Sequence, residues 1–178
     1  QVSKNTNASE ANNTRQALQE SSGVIVSEVN NQSYYSIGIR GITDPHESQG
    51  VLLMSDDIPV VADFYGYPAA YYLPSLSSVE SLEVSKTGAG LLYGSQPGGS
   101  INYRLKQPMF GSDVTGKTLN TFGTNQLFTT FNSVQGGSQK FAYLLEAYQR
   151  TGGGQFKNNS GFNAYGFDAR LRFKINEQ

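Results

Sequence analysis

A single histidine, His46, lies among Thr43-Asp44-Pro45-His46-Glu47. Imidazole flanked by Asp44 and Glu47 is a donor set that suits a divalent metal. Polar residues around a proline are equally what a solvated turn looks like. The same histidine is the only base available to a serine nucleophile, and no G-x-S-x-G elbow accompanies it. Asp56-Asp57 has the composition of a paired-carboxylate acid–base site, and also that of a turn following a strand. Gly94-Ser95-Gln96-Pro97-Gly98-Gly99 is a glycine-rich loop without the Lys-Ser/Thr of a phosphate loop, and no helical pattern follows it. Its glycines suit a tight turn between strands, where positive φ is needed. No catalytic constellation emerges, so the chain is not expected to be an enzyme or to carry a resident cofactor. The remaining chemistry is aromatic. Phe64, Tyr65, Tyr67, Tyr71 and Tyr72 fall in one short stretch. They can bury as a satellite core, or expose ring and hydroxyl to a ligand.

Composition narrows the class of protein that must position these residues. The chain has 178 residues, 37% hydrophobic and only 15% charged, with 20 Gly, 11 Tyr, 10 Phe and no Trp. Such a chain reads as many short strands with glycine-rich turns rather than as helices. Net charge is −1. No basic cluster stands out, which excludes a binder of phosphate backbones and leaves nucleic acid out of the expected partners. Cysteine is absent, so there is no disulfide framework or thiolate metal site. Gln1-Val2-Ser3-Lys4 opens without the apolar core of a signal peptide, and no run of about 18 apolar residues predicts a membrane helix.

Along the chain, residues 1–13 are polar, aperiodic and expected to be a flexible lead-in. Thr14 caps a short helix predicted to reach about Ser21, with Ala17 and Leu18 as its apolar side. Strands are predicted from Val24, over Tyr34–Arg40, over Val51–Met54, over Leu82–Ser85 and over Ile101–Leu105. Residues 59–75 read as a long aromatic loop punctuated by prolines, followed by a helical turn at Ser75–Val79. Pro108 and Gly111 close this first unit.

The pattern then changes. From Tyr165 to Ile175 the odd positions Tyr165, Phe167, Ala169, Leu171, Phe173 and Ile175 are apolar, and the even ones Gly166, Asp168, Arg170, Arg172 and Lys174 are small or charged. Strict period two over this length is what a membrane-crossing strand requires. Residues 140–149 alternate as well, while 126–134 and 114–122 do so weakly. The connection at 135–138 is short and that at 150–162 long, as in outer-membrane barrels. An ordinary half-buried hairpin of a soluble sheet reads similarly. About 70 residues allow about four strands, against the eight or more of a closed bacterial barrel. The chain is therefore expected to be the N-terminal portion of something larger.

Three ordered blocks between about residues 14 and 108 carry a resemblance. The first is Ser36-Ile37-Gly38-Ile39-Arg40-Gly41. The second is Val51-Leu52-Leu53 with Asp57-Ile58-Pro59-Val60. The third is the Glu83-Val84 strand followed by Tyr93-Gly94, Gly98-Gly99, Ile101 and Asn102. Together they resemble the plug domain of TonB-dependent outer-membrane receptors, with the I-P-V…Y-G-x-P and Y-G-x-Q stretches most similar to ferric-citrate-type receptors. Ser81 and Lys86 stand where this family usually has arginines, and Asp57 stands where glycine is usual.

The resemblance implies an α+β plug at 14–108, a short mixed sheet with small helices, followed at 109–178 by the first antiparallel transmembrane β-barrel strands of an incomplete barrel. It implies an outer-membrane receptor that binds and imports a ferric chelate, ferric citrate or siderophore-like. Its partners would be TonB, the small-molecule chelate and outer-membrane lipid. Arg40, Glu80, Glu83 and Arg104, otherwise plain surface charges, would be plug–barrel ion pairs. The loops 43–49, 59–74 and 94–99 follow strands that can run in one direction, so their tips can converge. The resemblance places ligand contacts there at Thr43, Tyr65 and Gln96, with Tyr67 beside them. No arginine lies in these tips, so a polyanionic chelate would need basic residues from the barrel. The alternative is a soluble β-rich binding or adhesion module using the Tyr-rich loop.

Overall fold

The computed structural model describes residues 17–18, 21–29, 34–39, 41, 51–62, 67–68, 74–86, 98–153 and 159–175. These fall into two compact units, Gln1–Leu105 and Lys106–Gln178, dividing three residues ahead of the boundary expected at 108.

In the first unit, Ala17 and Leu18 are helical and buried within the span expected for a helix. β1 (Val24–Val29) and β2 (Tyr34–Ile39) form an antiparallel hairpin pairing Val24 with Ile39 and Val26 with Ile37. A mixed sheet follows, in the order β4 (Ile58–Pro59), β3 (Val51–Ser55), β8 (Gly99–Leu105), β7 (Val79–Ser85). The two interior strands, β3 and β8, run parallel and are almost wholly buried, which is why β3 reads as an unbroken apolar run rather than an alternating one. The expected aromatic loop contains a small antiparallel pair, β5 (Val61–Ala62) with β6 (Tyr67–Pro68). The turn before β7 has one-turn helical bonds, Ser78 N to Ser75 O and Val79 N to Leu76 O.

The core gathers Ala17, Leu18, Ile37, Ile39, Val51, Leu53, Leu76, Val79, Leu82, Ile101, Tyr103 and Leu105. On β7, Val79 and Leu82 both face it although three positions apart, an odd spacing that alternation forbids. A bulge between Val79 and Ser81 supplies the extra residue.

Gly99 starts β8 at φ 120°. A Cβ there would sit 2.2 Å from the Ser85 carbonyl oxygen on β7. The second glycine of the Gly98-Gly99 pair is thus required by backbone touching backbone as well as by φ. Gly99→Ala is expected to destabilise the first unit by about 3 kcal/mol, because strain and clash fall at one site with no flexible side chain to yield. Chemical denaturation checks this; a loss below the error of the measurement would refute it.

The second unit is a four-stranded antiparallel meander. β9 (Thr115–Phe122), β10 (Phe128–Gly137), β11 (Phe141–Gly152) and β12 (Phe162–Phe173) pair in sequence order. β9 and β10 begin one and two residues later than the weak alternation suggested, and β10 runs three residues further. Gly136 faces Tyr143 and Gly166 faces Tyr148 across the ladder. Each tyrosine ring lies where a Cβ on the glycine would be, under 3 Å away, so rings fill the gaps that the glycines leave.

Candidate functional site

Of the residues expected at the ligand-facing tips, Thr43, Tyr65 and Gln96 lie outside the described residues, as does Arg40. The backbone of Tyr67 is in β6. His46, Asp44 and Glu47 also lie outside them. Among the described residues no group of acidic and histidine side chains is arranged to hold a metal.

The structure does bring Glu83 and Arg104 together, on the neighbouring strands β7 and β8 of the mixed sheet. The Arg104 guanidinium donates from Nε to Glu83 at 2.9 Å and from a terminal nitrogen to Asp57. Asn102 sits between them. Its amide nitrogen donates to Asp57 Oδ1 at 3.0 Å and to Glu83 Oε2 at 3.3 Å, and its oxygen accepts the Asp57 N–H at 3.2 Å. The neighbouring Asp56 carboxylate accepts the Leu105 N–H at 2.9 Å. Glu80, on the same strand as Glu83, is exposed. Asp57's carboxylate, then Glu83's, holds the Arg104 guanidinium above its already high ordinary pKa. A cation pKa raised on folding adds stability that is complete below the unfolded value and is lost only as pH climbs past the folded one. The window lies in strong alkali, so Arg104 stays charged at every physiological pH.

This cluster explains the Asp at a glycine position. Asp56 and Asp57 form the two-residue turn between β3 and β4, with φ of 48° and 66°. Such a hairpin turn needs positive φ at both central residues, and Asp tolerates this better than most residues. The carboxylates tie both to β8 and offset the backbone cost. It also explains the asparagine of the Gly-Gly-x-Ile-Asn block: Asn102 is the bridge. Of the two readings Asp56-Asp57 allows in the sequence, a carboxylate pair or a turn after a strand, the turn is the one the fold shows. Two variants separate the terms. Asp57→Gly relieves the φ cost but loses the ion pair, and should stay within about 0.5 kcal/mol of the parent. Asp57→Ala loses the pair and keeps the strain, and should cost about 1–2 kcal/mol. Equal stabilities in thermal unfolding would refute the assignment.

In the second unit, the two faces of the meander differ in what they expose and what they bury. One face carries Tyr165, Phe167, Leu171 and Phe173 of β12 with Leu145 of β11 and Val134 of β10. All are exposed, Phe167 by 71% and Ile175 just beyond by 92%. The other face carries the charges, and there Glu146 and Arg150 are buried, at 2% and 5% exposure, together with Phe131, Ala142 and Leu144. Glu146 lies directly opposite Asp168 in the ladder, a like-charge pairing that is unfavourable alone. Arg170 resolves it, 3.5 Å from Glu146 and 2.9 Å from Asp168.

Arg170 and Arg172 have a further task that spacing could not reveal. Arg170 donates to the carbonyl of Lys106, and Arg172 to that of Pro108 at 3.2 Å, while the Arg172 guanidinium stacks 5.1 Å from the Phe110 ring. Gly111 N bonds to Ser138 O and Gly137 N to Ser112 O. The segment leading into β9 is thereby clasped against the charged face. The two arginine bonds each span 64 residues of sequence, with no local pattern to mark them.

A mixed plug-type sheet followed by a meander of long alternating strands defines a plug-and-barrel class of chain. The TonB-dependent receptor plug domain family matches residues 2–101, and the chain belongs to that family. Solved structures agree in fold. The copper transporter OprC superposes with a TM-score of 0.68 at 14% identity, over 95% of this chain and 27% of its own. The ferric enterobactin receptor PfeA from Pseudomonas aeruginosa gives 0.65 at 17%, over 93% and 29%. The ferric yersiniabactin uptake receptor FyuA from Yersinia pestis gives 0.64 at 18%, over 89% and 26%. The chain thus spans less than a third of each of these structures. No curated protein sequence matches it.

Proposed function

We propose that this chain is the plug and first four barrel strands of an outer-membrane receptor that binds a metal chelate outside and imports it with energy delivered through TonB. One observation supports this beyond the family match: Glu146 and Arg150 are buried on one face of the meander while large aromatic and aliphatic side chains, Tyr165, Phe167, Leu171 and Phe173 among them, stand exposed on the other. Water would favour the reverse; hydrocarbon outside and a polar interior favour this. Dimensions agree. A strand of 12 residues, as β11 and β12 are, is about 40 Å long and covers roughly 28 Å of bilayer when tilted by about 45°. The soluble adhesion-module reading is disfavoured by the same exposed face, which would aggregate in water.

The chelate is proposed to be ferric, of the citrate or siderophore type, with Thr43, Tyr65, Tyr67 and Gln96 as its plug contacts. Tyr and Gln supply neutral donors and acceptors that meet a hydroxyl- or carboxylate-rich chelate at modest desolvation cost. The full receptor carrying Tyr65→Ala or Gln96→Ala is expected to bind its ferric chelate about ten- to a hundred-fold more weakly, the worth of one hydrogen bond to a charged ligand. Radiolabelled ferric-chelate binding to cells measures this. Unchanged affinity in both variants, at normal receptor levels, would remove these residues from the site.

A further inference from the structure

We propose that residues 106–112 form a mechanical stop, which ends a pull transmitted along the chain from the first unit before it reaches β9. The proposal rests on the TonB reading and adds to it the point at which the pulled chain is held. Arg170 and Arg172 stand two apart on β12, and they donate to the carbonyls of Lys106 and Pro108, also two apart. In an extended chain every second residue faces the same way, and Gln107 is kept extended by the proline that follows it. Donors and acceptors therefore share one period, which a chance crossing of two segments would not supply. Pro108 is buried, and the Arg172 guanidinium also lies 5.1 Å from the centre of the Phe110 ring, so one side chain grips the segment at two points. Beyond Phe110 the backbone takes over. Gly111 N donates to Ser138 O at 2.9 Å and Gly137 N to Ser112 O at 3.0 Å.

The end of β10 is shaped to receive the segment. A Cβ on Gly137 would lie 2.6 Å from the Met109 carbonyl oxygen, so glycine is what lets the two backbones approach this closely. Every one of these partners belongs to the second unit, Lys106–Gln178. A pull on the N-terminus runs through Leu105 into Lys106. There it loads the two arginine bonds, the ring stack and the two backbone bonds on one short segment. Bonds from a charged donor are the stronger kind, and forced opening is governed by the rate at which the clasp as a whole lets go. β9 begins at Thr115, directly behind the clasp. Without the clasp the pull would fall on the first pair of its ladder with β10, Thr115 with Gln135, and peel the strand away bond by bond.

The test pulls the full receptor, reconstituted into bilayers, from its N-terminus in a single-molecule force measurement. Residues 1–105 extend to roughly 360 Å, and residues 106–114 add about 30 Å. The parent is expected to give a separate last step of about 30 Å, at a force above those that unravel the first unit. Arg172→Ala and Phe110→Ala should each lose the separate step. Arg172→Lys, which keeps the charge but not the planar fork, should retain it at reduced force. No separate step in the parent, or an unchanged step in both alanine variants, overturns the stop. A second measurement needs no variant. In urea that unfolds the first unit, the Gly111 and Gly137 amides should exchange hydrogen at least about tenfold more slowly than the amides of β8. Exchange of the two glycines together with β8 overturns the stop as well. Ferric-chelate uptake by cells carrying the parent receptor, with and without TonB, separates the two levels. If uptake needs TonB and the step is missing, the stop falls and the receptor reading stands; if uptake does not need TonB, both fall.

Discussion

Arg170→Ala is expected to destabilise the receptor by about 3 kcal/mol in equilibrium unfolding from detergent. The change removes the cation lying between Glu146 and Asp168, which the ladder sets opposite each other. Glu146 is almost fully buried, and taking away its arginine costs far more than an exposed ion pair would. The Lys106 carbonyl loses its donor as well. The electrostatic explanation makes a second demand. Replacing both members, Arg170→Leu with Glu146→Leu, removes the uncompensated charge and should recover stability to within about 1 kcal/mol of the parent. If the double variant is as unstable as Arg170→Ala, packing rather than charge compensation is the role of Arg170.

Phe167→Arg is expected to cost roughly 2–4 kcal/mol in the same unfolding measurement carried out in bilayers, since Phe167 lies at the middle of β12 on the exposed apolar face. The cost should decline with depth. Ile175→Arg, beyond the end of β12, should cost about 0–1 kcal/mol. Placing arginine at Asp168, one residue from Phe167 but on the charged face, should show no such dependence on the bilayer. A flat profile along β12 would mean that water, not hydrocarbon, meets this face.

How much of this was legible in the chain depends on the length of each signal. β12 was readable because its period-two alternation holds from Tyr165 to Ile175, long enough to exclude a helix. β9 and β10 were faint because polar residues such as Thr118, Thr130 and Asn132 interrupt their outward positions. Thr118 donates to Asn132 at 3.0 Å and Asn132 to Thr130 at 3.2 Å, so neither face stands out in the sequence. The β7 bulge hid behind one extra residue, which shifts Val79 out of step with Leu82. Glu83 and Arg104 were singled out as charges and Asp57 as a paired carboxylate or a turn, but nothing in the sequence joined Asp57 to the other two. A turn residue at positive φ reaching a strand 47 positions away is a tertiary fact, as are the bonds from Arg170 and Arg172 to the segment before β9. The plug blocks were legible because backbone geometry requires them: Gly99 abuts Ser85, and Asn102 bridges the turn to β7. The ligand-facing positions rest on sequence alone.

The central claim is that the chain's meander is the start of a membrane barrel whose aromatic face meets lipid. It is tested most directly by spin labels placed singly at Phe167, Asp168, Ala169, Arg170, Leu171 and Arg172 in the receptor reconstituted into bilayers. Accessibility to a lipid-soluble quencher should alternate, high at Phe167, Ala169 and Leu171 and low at Asp168, Arg170 and Arg172. Alternation in the opposite phase, or uniformly low accessibility at all six, would contradict it.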